Sequence, residues 1–212
     1  MIRIRIDDVM WQSSGWHDKD RAERRFGNIH RWTTQAKNQI IHVPTILVKD
    51  IEDFPATIEL IKEETKAHRM FPEIHGYEHV DYTQLSEEEV RRHLTLCIEW
   101  FNDNLNLNPT VWATPWGSEG NDIMKKVAKE LYLQIEGTRG TVSPQRALDY
   151  MRANSLDSLG SFTVMEHWWK KGTALLRICD CARLGSYAAA VEDDKKQRTH
   201  MIFPENTDGS AK

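Results

Sequence analysis

The sequence predicts a single α/β domain with barrel-like organisation, and three observations lead there. β-branched runs alternate with amphipathic stretches, the rhythm of strands joined by helices, with no internal repeat or low-complexity tract. At 212 residues the chain is long enough for one well-buried core. The first strand ends in two adjacent acids, Asp7 and Asp8, at the end where barrel enzymes keep their chemistry.

Residues 1–6 alternate Ile2, Ile4 and Ile6 with Arg3 and Arg5, the period of a strand. From Val9 to Gln39 a segment rich in Trp and charge predicts a helix over Asp18 to Phe26, a second near Trp32, and a cover over the site. Ile40 to Lys49 reads as the second strand, and Pro55 opens a helix through Ile58, Ile61 and Glu64 to His68. A short strand ending at Ile74 then delivers His75 and His79. Ser86 and Glu89 form a capping box for a helix through Val90, Leu94, Cys97 and Phe101. Thr110 to Thr114 is the next strand, and Asn121 caps a helix with apolar positions at Ile123, Val127 and Leu131. Leu133 to Glu136 and Ser161 to Glu166 are strands, the latter ending at His167. Ala174 to Ala190 supplies a closing helix, or a strand and a helix. The barrel domain is thus assigned to residues 1–191, and the polar tail, 192–212, is expected to be loose.

Composition narrows the function. Hydrophobic residues are 40 % and charged residues 28 %, ordinary for a globular protein, and the net charge of −4 speaks against a nucleic-acid partner. No apolar run approaches the roughly 18–20 residues of a membrane span. Cys97, Cys179 and Cys181 have neither zinc-ribbon spacing nor disulfide-scaffold density, so they read as reduced core thiols. With the first strand starting at Met1 there is no room for a signal peptide, and a cytoplasmic location is expected. Oligomeric state is not encoded in any of these features.

Asp8, His75 and His79 offer one carboxylate oxygen and two imidazole nitrogens, a ligand set suited to zinc with positions left open for water and substrate. The cation also resolves the conflict of two adjacent acids, leaving Asp7 ionised for proton transfer. Pro72, Gly76 and Tyr77 favour a loop, not a helix, around the histidines. HGYEH also fits an inverted zinc-protease pattern with Glu78 as base and Glu130 or Glu136 as third ligand, but that reading needs a helix and leaves the Asp pair unused.

IRIRIDDV, HGYEH and ATPWG occur in the order and rough spacing of motifs in the polysaccharide deacetylases, carbohydrate esterase family 4, which this chain resembles over roughly residues 1–170. The resemblance implies a distorted, incomplete (β/α) barrel, Asp7 as catalytic base, Asp8, His75 and His79 as metal ligands, and the backbone amide at Trp116 as oxyanion donor. It also implies a late histidine as general acid, for which His167 after FTVME is the match. Three positions depart from the family: its bracing arginine is Ala113, Gly76 replaces Ser or Thr, and its Asp-Trp motif is not evident. Arg5, two residues before Asp7 on the same strand face, is expected to take over the bracing, with Arg139 as the alternative.

Trp11, Trp16 and Trp168, with Trp116 and Trp169, flank these segments and offer flat faces for a sugar ring. His17, Asp18 and Asp20 read as a solvated helix start in preference to a second cation site. The expectation is a metal-dependent hydrolase that removes an acetyl or other acyl group from an amide nitrogen of a carbohydrate or similar small molecule. The alternatives are a non-sugar amide hydrolase and a carbohydrate-binding barrel that keeps its metal but has lost turnover with Ala113.

Overall fold

The alternation of isoleucine and arginine at the start of the chain separates two environments. The computed structural model describes residues 2–10, 18–35, 40–139, 141–153, 162–167, 173–184, 189–190 and 192. Strand β1 (Ile2–Val9) runs parallel to β2 (Ile40–Leu47) on one side and β7 (Phe162–His167) on the other. Ile2, Ile4 and Ile6 join the apolar core with Phe26 and Ile29 of helix α1 (Lys19–Gln35) and Leu175 and Ile178 of helix α7 (Thr173–Leu184). Arg3, Arg5 and Asp7 alternate to the other face, where they meet one another and acids from distant strands.

Between these elements lie α2 (Val48–Ile51), α3 (Pro55–Lys66), β3 (Glu73–Gly76), α4 (Glu87–Leu105), β4 (Val111–Ala113), α5 (Asp122–Glu130), β5 (Gln134–Glu136), β6 (Thr141–Val142) and α6 (Pro144–Ala153). Two 3-10 turns, Tyr82–Gln84 and Pro115–Gly117, complete the order. The seven strands are parallel, in the order β5-β4-β3-β2-β1-β7-β6. Consecutive strands β5 and β6 therefore occupy opposite edges, although only residues 137–140 separate them. Five Cα steps reach about 18 Å at most, so the sheet must curl until its edges face each other. The result is an incomplete (β/α) barrel, a half-barrel with helices outside and a polar lumen.

The capping signals act as read. Ser86 Oγ accepts from Glu89 N while Glu89 Oε2 accepts from Ser86 N, and Asn121 Oδ1 accepts from Met124 N. Four readings change. Instead of two helices, α1 is one, because Ala22, Phe26, Ile29, His30 and Thr33 form a continuous buried stripe that outweighs Gly27, whose cost is about 1 kcal/mol. It packs beside β2, α3 and α7 on the flank of the barrel, so this helix is not a cover over the site. Strand β3 extends to Gly76, placing His75 inside it. In α5 the buried face is Met124, Val127 and Ala128, and Ile123 is turned outward.

Strand β6 and helix α6 were not anticipated. A two-residue strand has no readable period, but Ser143–Pro144 was a usable start signal: Ser143 Oγ accepts from Arg146 N at 3.4 Å. Residues 193–212 of the expected loose tail lie outside the described residues. Among the described residues no helix is long and apolar enough to cross a membrane, and the three cysteines are buried and free.

Candidate metal and acid-base site

Two irregularities in the sheet build the site. Ile6 lies opposite Pro44 and Val9 opposite Ile46, so β1 fits one extra residue between these pairs. Asp8 has φ 57° there, a left-handed conformation that costs a residue with a Cβ roughly 1–2 kcal/mol and that Asp tolerates better than most. Regular pleating would send Asp7 and Asp8 to opposite faces. The extra residue lets Asp8 reach the histidines while Asp7 stays against Arg5. A second shift, between Ile46–Ile74 and Leu47–Gly76, leaves His75 as the extra residue of β3.

Asp8, His75 and His79 converge at the carboxyl end of β1 and β3, and their ligating atoms all lie within 4.8 Å of one another. His75 Nε2 is 2.5 Å and His79 Nε2 3.1 Å from Asp8 Oδ1. His167 Nε2, from the last residue of β7, is 3.7 Å from Asp8 Oδ2. Burial by itself would raise the Asp8 pKa, but the adjoining His75 and His79 hold it well below the ordinary carboxylate range.

The orientation of His75 is fixed from outside the cluster. Its Nδ1 lies 2.6 Å from the carbonyl of Ala113, which can only accept, so Nδ1 carries the proton. Its own carbonyl receives the indole N–H of Trp112 at 3.1 Å. In the neutral form that a metal ligand takes, with the proton on Nδ1, His75 would present a bare Nε2 to the adjacent carboxylate oxygen, and this buried atom has no hydrogen-bond partner. Lone pairs facing each other in a buried place are unfavourable unless a cation lies between them. A tetrahedral zinc with bonds near 2.0–2.2 Å separates its ligand atoms by roughly 3.3 Å. The 3.1 Å pair is close to that spacing and the 2.5 Å pair reaches it with a shift below about 1 Å, so these residues fit a divalent ion.

Asp7 is gripped at both oxygens. Arg5, fully buried, donates Nε to Oδ1 and Nη2 to Oδ2, each at 2.9 Å, and Thr45 Oγ1 lies 3.2 Å from Oδ1. The arginine that contacts Asp7 therefore lies on β1 itself. Arg139 is exposed, and its backbone N–H donates to Glu119.

Trp116 is 69 % exposed, on a left-handed backbone with φ 59°, and meets the His79 ring edge-on at 4.8 Å between centroids. Gly117, φ 64°, lets this turn approach the segment that follows β5: a Cβ there would stand 2.2 Å from Thr138 Cγ2. Gly76 gives room to Tyr82, whose hydroxyl receives the Tyr77 N–H at 2.9 Å and pins the histidine loop.

The zinc-protease alternative does not fit. Residues 75–80 are strand end and bends, Glu78 pairs with Lys49 at 2.8 Å, Glu130 with Arg91, and Glu136 with Arg3 and Arg5. Asp18 caps α1 by accepting from Arg21 N, as a helix start should. Trp11, Trp16, His17, Trp168 and Trp169 lie outside the described residues. Sequence reasoning missed Thr45 and the Ala113 carbonyl, and it named Glu136 only as a third ligand in the zinc-protease reading. A lone Thr inside the apolar run IIHVPTILVK was a usable hint for the first, whereas a carbonyl leaves no mark in a sequence.

Residues 46–135 match the polysaccharide deacetylase family, a stretch holding both histidines and ATPWG but not Asp7, Asp8 or His167. No curated protein sequence matches the chain. Among solved structures, a family 4 carbohydrate esterase from Streptomyces lividans in complex with acetate aligns with 12 % identity over 92 % of this chain and 87 % of that one, TM-score 0.60. Peptidoglycan deacetylase PdaC from Bacillus subtilis aligns with 15 % identity over 95 % of both chains, TM-score 0.60. A CE4 family pseudoenzyme from Bacillus anthracis aligns with 15 % identity over 93 % of this chain, TM-score 0.58, and the chain spans only 61 % of its length. At such identities the likeness concerns the fold. The sequence match adds a resemblance to the polysaccharide deacetylases over residues 46–135, less than half of the chain.

Proposed function

We propose that this chain belongs with the polysaccharide deacetylases and is a metal-dependent hydrolase that removes an acetyl or other acyl group from an amide nitrogen of a carbohydrate or similar small molecule. The observation carrying this reading is the convergence of Asp8, His75 and His79 beside His167, with Asp7 separately braced.

Asp8, His75 and His79 would hold the ion, zinc by ligand type, which when bound supplies Lewis-acid polarisation and lowers the pKa of a water. Asp7, fixed by Arg5 and Thr45, accepts the proton of the attacking water as the new C–O bond forms. The backbone N–H of Trp116 is the donor assigned to the oxygen on which negative charge builds. His167 Nε2 then gives a proton to the nitrogen as the C–N bond breaks, releasing carboxylic acid and free amine. The exposed Trp116 ring offers a face for a sugar. Buried free thiols support a cytoplasmic location and hence a soluble acylated sugar as substrate.

One observation favours a second reading: the position of the family's bracing arginine holds Ala113, and one structural neighbour is a pseudoenzyme. A barrel that binds sugar without turnover would follow. Acetate release from N-acetylated chitooligosaccharides, measured before and after chelation and zinc return, separates the two. The hydrolase gives chelator-sensitive product that His75→Ala abolishes; saturable binding without product overturns it.

A further inference from the structure

Arg5 uses only part of its guanidinium on Asp7. Its Nη1 turns the other way, to Glu136 Oε1 at 3.0 Å and the Gly137 carbonyl at 2.9 Å, both at the end of β5 on the far edge of the sheet. The same Glu136 oxygen accepts from Arg3 Nη1 at 2.5 Å, and Arg3 Nη2 lies 2.6 Å from each oxygen of Glu73. Charges therefore alternate across the lumen: Asp7, Arg5, Glu136, Arg3, Glu73.

A guanidinium is a rigid plane. Two bonds to Asp7 define one edge, but Arg5 reaches that acid from two residues away on the same strand, so its long side chain has slack. Glu136 takes up the slack from the opposite edge of the half-barrel. We propose that Glu136 is a positioning residue for the hydrolytic reaction: by holding Arg5 Nη1 it fixes the angle at which Arg5 presents Asp7 to the attacking water. The assignment rests on Asp7 being the base. It also gives the lumen's charge row a purpose beyond packing, since buried ion pairs are on their own a poor source of stability.

The test uses the full-length, zinc-loaded protein and Glu136→Gln, which keeps the shape and removes the charge. Glu136→Gln is expected to lower kcat about 10- to 100-fold while KM and zinc affinity stay within about twofold. In Glu136→Gln with Arg5→Lys, kcat is expected within about twofold of Arg5→Lys alone, because the second change has lost its target. Glu136→Asp, which restores the charge on a shorter arm, should recover part of the loss.

A readout independent of turnover is NMR of 15N-labelled arginine side chains: the slowly exchanging Arg5 guanidinium protons of the wild type broaden or average in Glu136→Gln. A folded Glu136→Gln protein with kcat unchanged, multiplicative losses in the double variant, or unaltered Arg5 signals each overturn the proposal. A wild type that hydrolyses no amide, yet whose Arg5 signals respond to Glu136→Gln, sinks the hydrolase reading and supports the coupling between Glu136 and Arg5.

Discussion

Lowering the pH from 7.5 to 5.0 should destabilise this protein in large part through a residue remote from the site, His42. It lies in β2, 1 % exposed, its Nδ1 3.4 Å from Nδ1 of His30 and the two rings stacked at 5.6 Å. Its Nε2 is buried without a hydrogen-bond partner among the described residues. Burial, reinforced by neighbouring His30, pushes its pKa down to about 3. An unfolded histidine titrates near 6.5. Above that value both states are neutral and His42 adds no pH dependence. Below it the unfolded chain binds a proton that the folded chain refuses, so stability falls with pH, by about 1.4 kcal/mol per unit, until the folded value is reached. At pH 5.0 the loss is about 2 kcal/mol, and any folded pKa below about 4 gives nearly the same figure. That is a large share of the ~5–15 kcal/mol that holds a typical domain together. Urea unfolding of the chelator-treated wild type and of His42→Gln at the two pH values isolates the effect, since the other groups titrate in both proteins. The wild type should lose about 2 kcal/mol more than the variant; parallel losses would refute the assignment of a buried neutral imidazole.

Three further outcomes follow from particular contacts. Arg5→Met strands Asp7 without its arginine, while Glu136 keeps Arg3, and should cost about 3–5 kcal/mol in urea unfolding, against a smaller loss for Arg5→Lys, which keeps the charge but not the fork; equal stability of the two variants contradicts the bidentate contact. Gly76→Ser would place a Cβ 2.8 Å from the Tyr82 hydroxyl and 3.0 Å from the Glu78 carbonyl. It should cost about 1–3 kcal/mol and weaken zinc binding in calorimetry; a neutral effect would mean that the histidine loop is not pinned by Tyr82. Ser86→Ala removes one arm of the capping box of α4 and should lower stability by about 1 kcal/mol without touching turnover.

Where the sequence carried local signals, it was legible. The Ile/Arg alternation, the Ser86/Glu89 box, the Asn121 cap and the acid pair at a strand end each predict structure within a few residues of themselves, and each is present. The site geometry depends on longer relations. The contact of Arg5 with Asp7 was readable because the two share a strand face, but the second partner of Arg5, Glu136, is brought near only by the curl of the sheet. The extra residues at Asp8 and His75 follow from register between strands, which one strand's pattern does not encode. The sequence predicts two helices where α1 is one, and burial of its continuous stripe wins over the poor helix propensity of Gly27. The zinc-protease alternative fell for the complementary reason: strand β3 runs through His75, so the histidine spacing is a bend and not a helical turn.

The most direct measurement is a crystal grown with zinc and measured at the zinc absorption edge. One anomalous peak is expected about 2.0–2.2 Å from Asp8 oxygen, His75 Nε2 and His79 Nε2, with His167 facing it and Asp7 still held by Arg5. A zinc-replete crystal with no peak there, or with the two histidines turned away from Asp8, would contradict the proposed centre and the chemistry built on it.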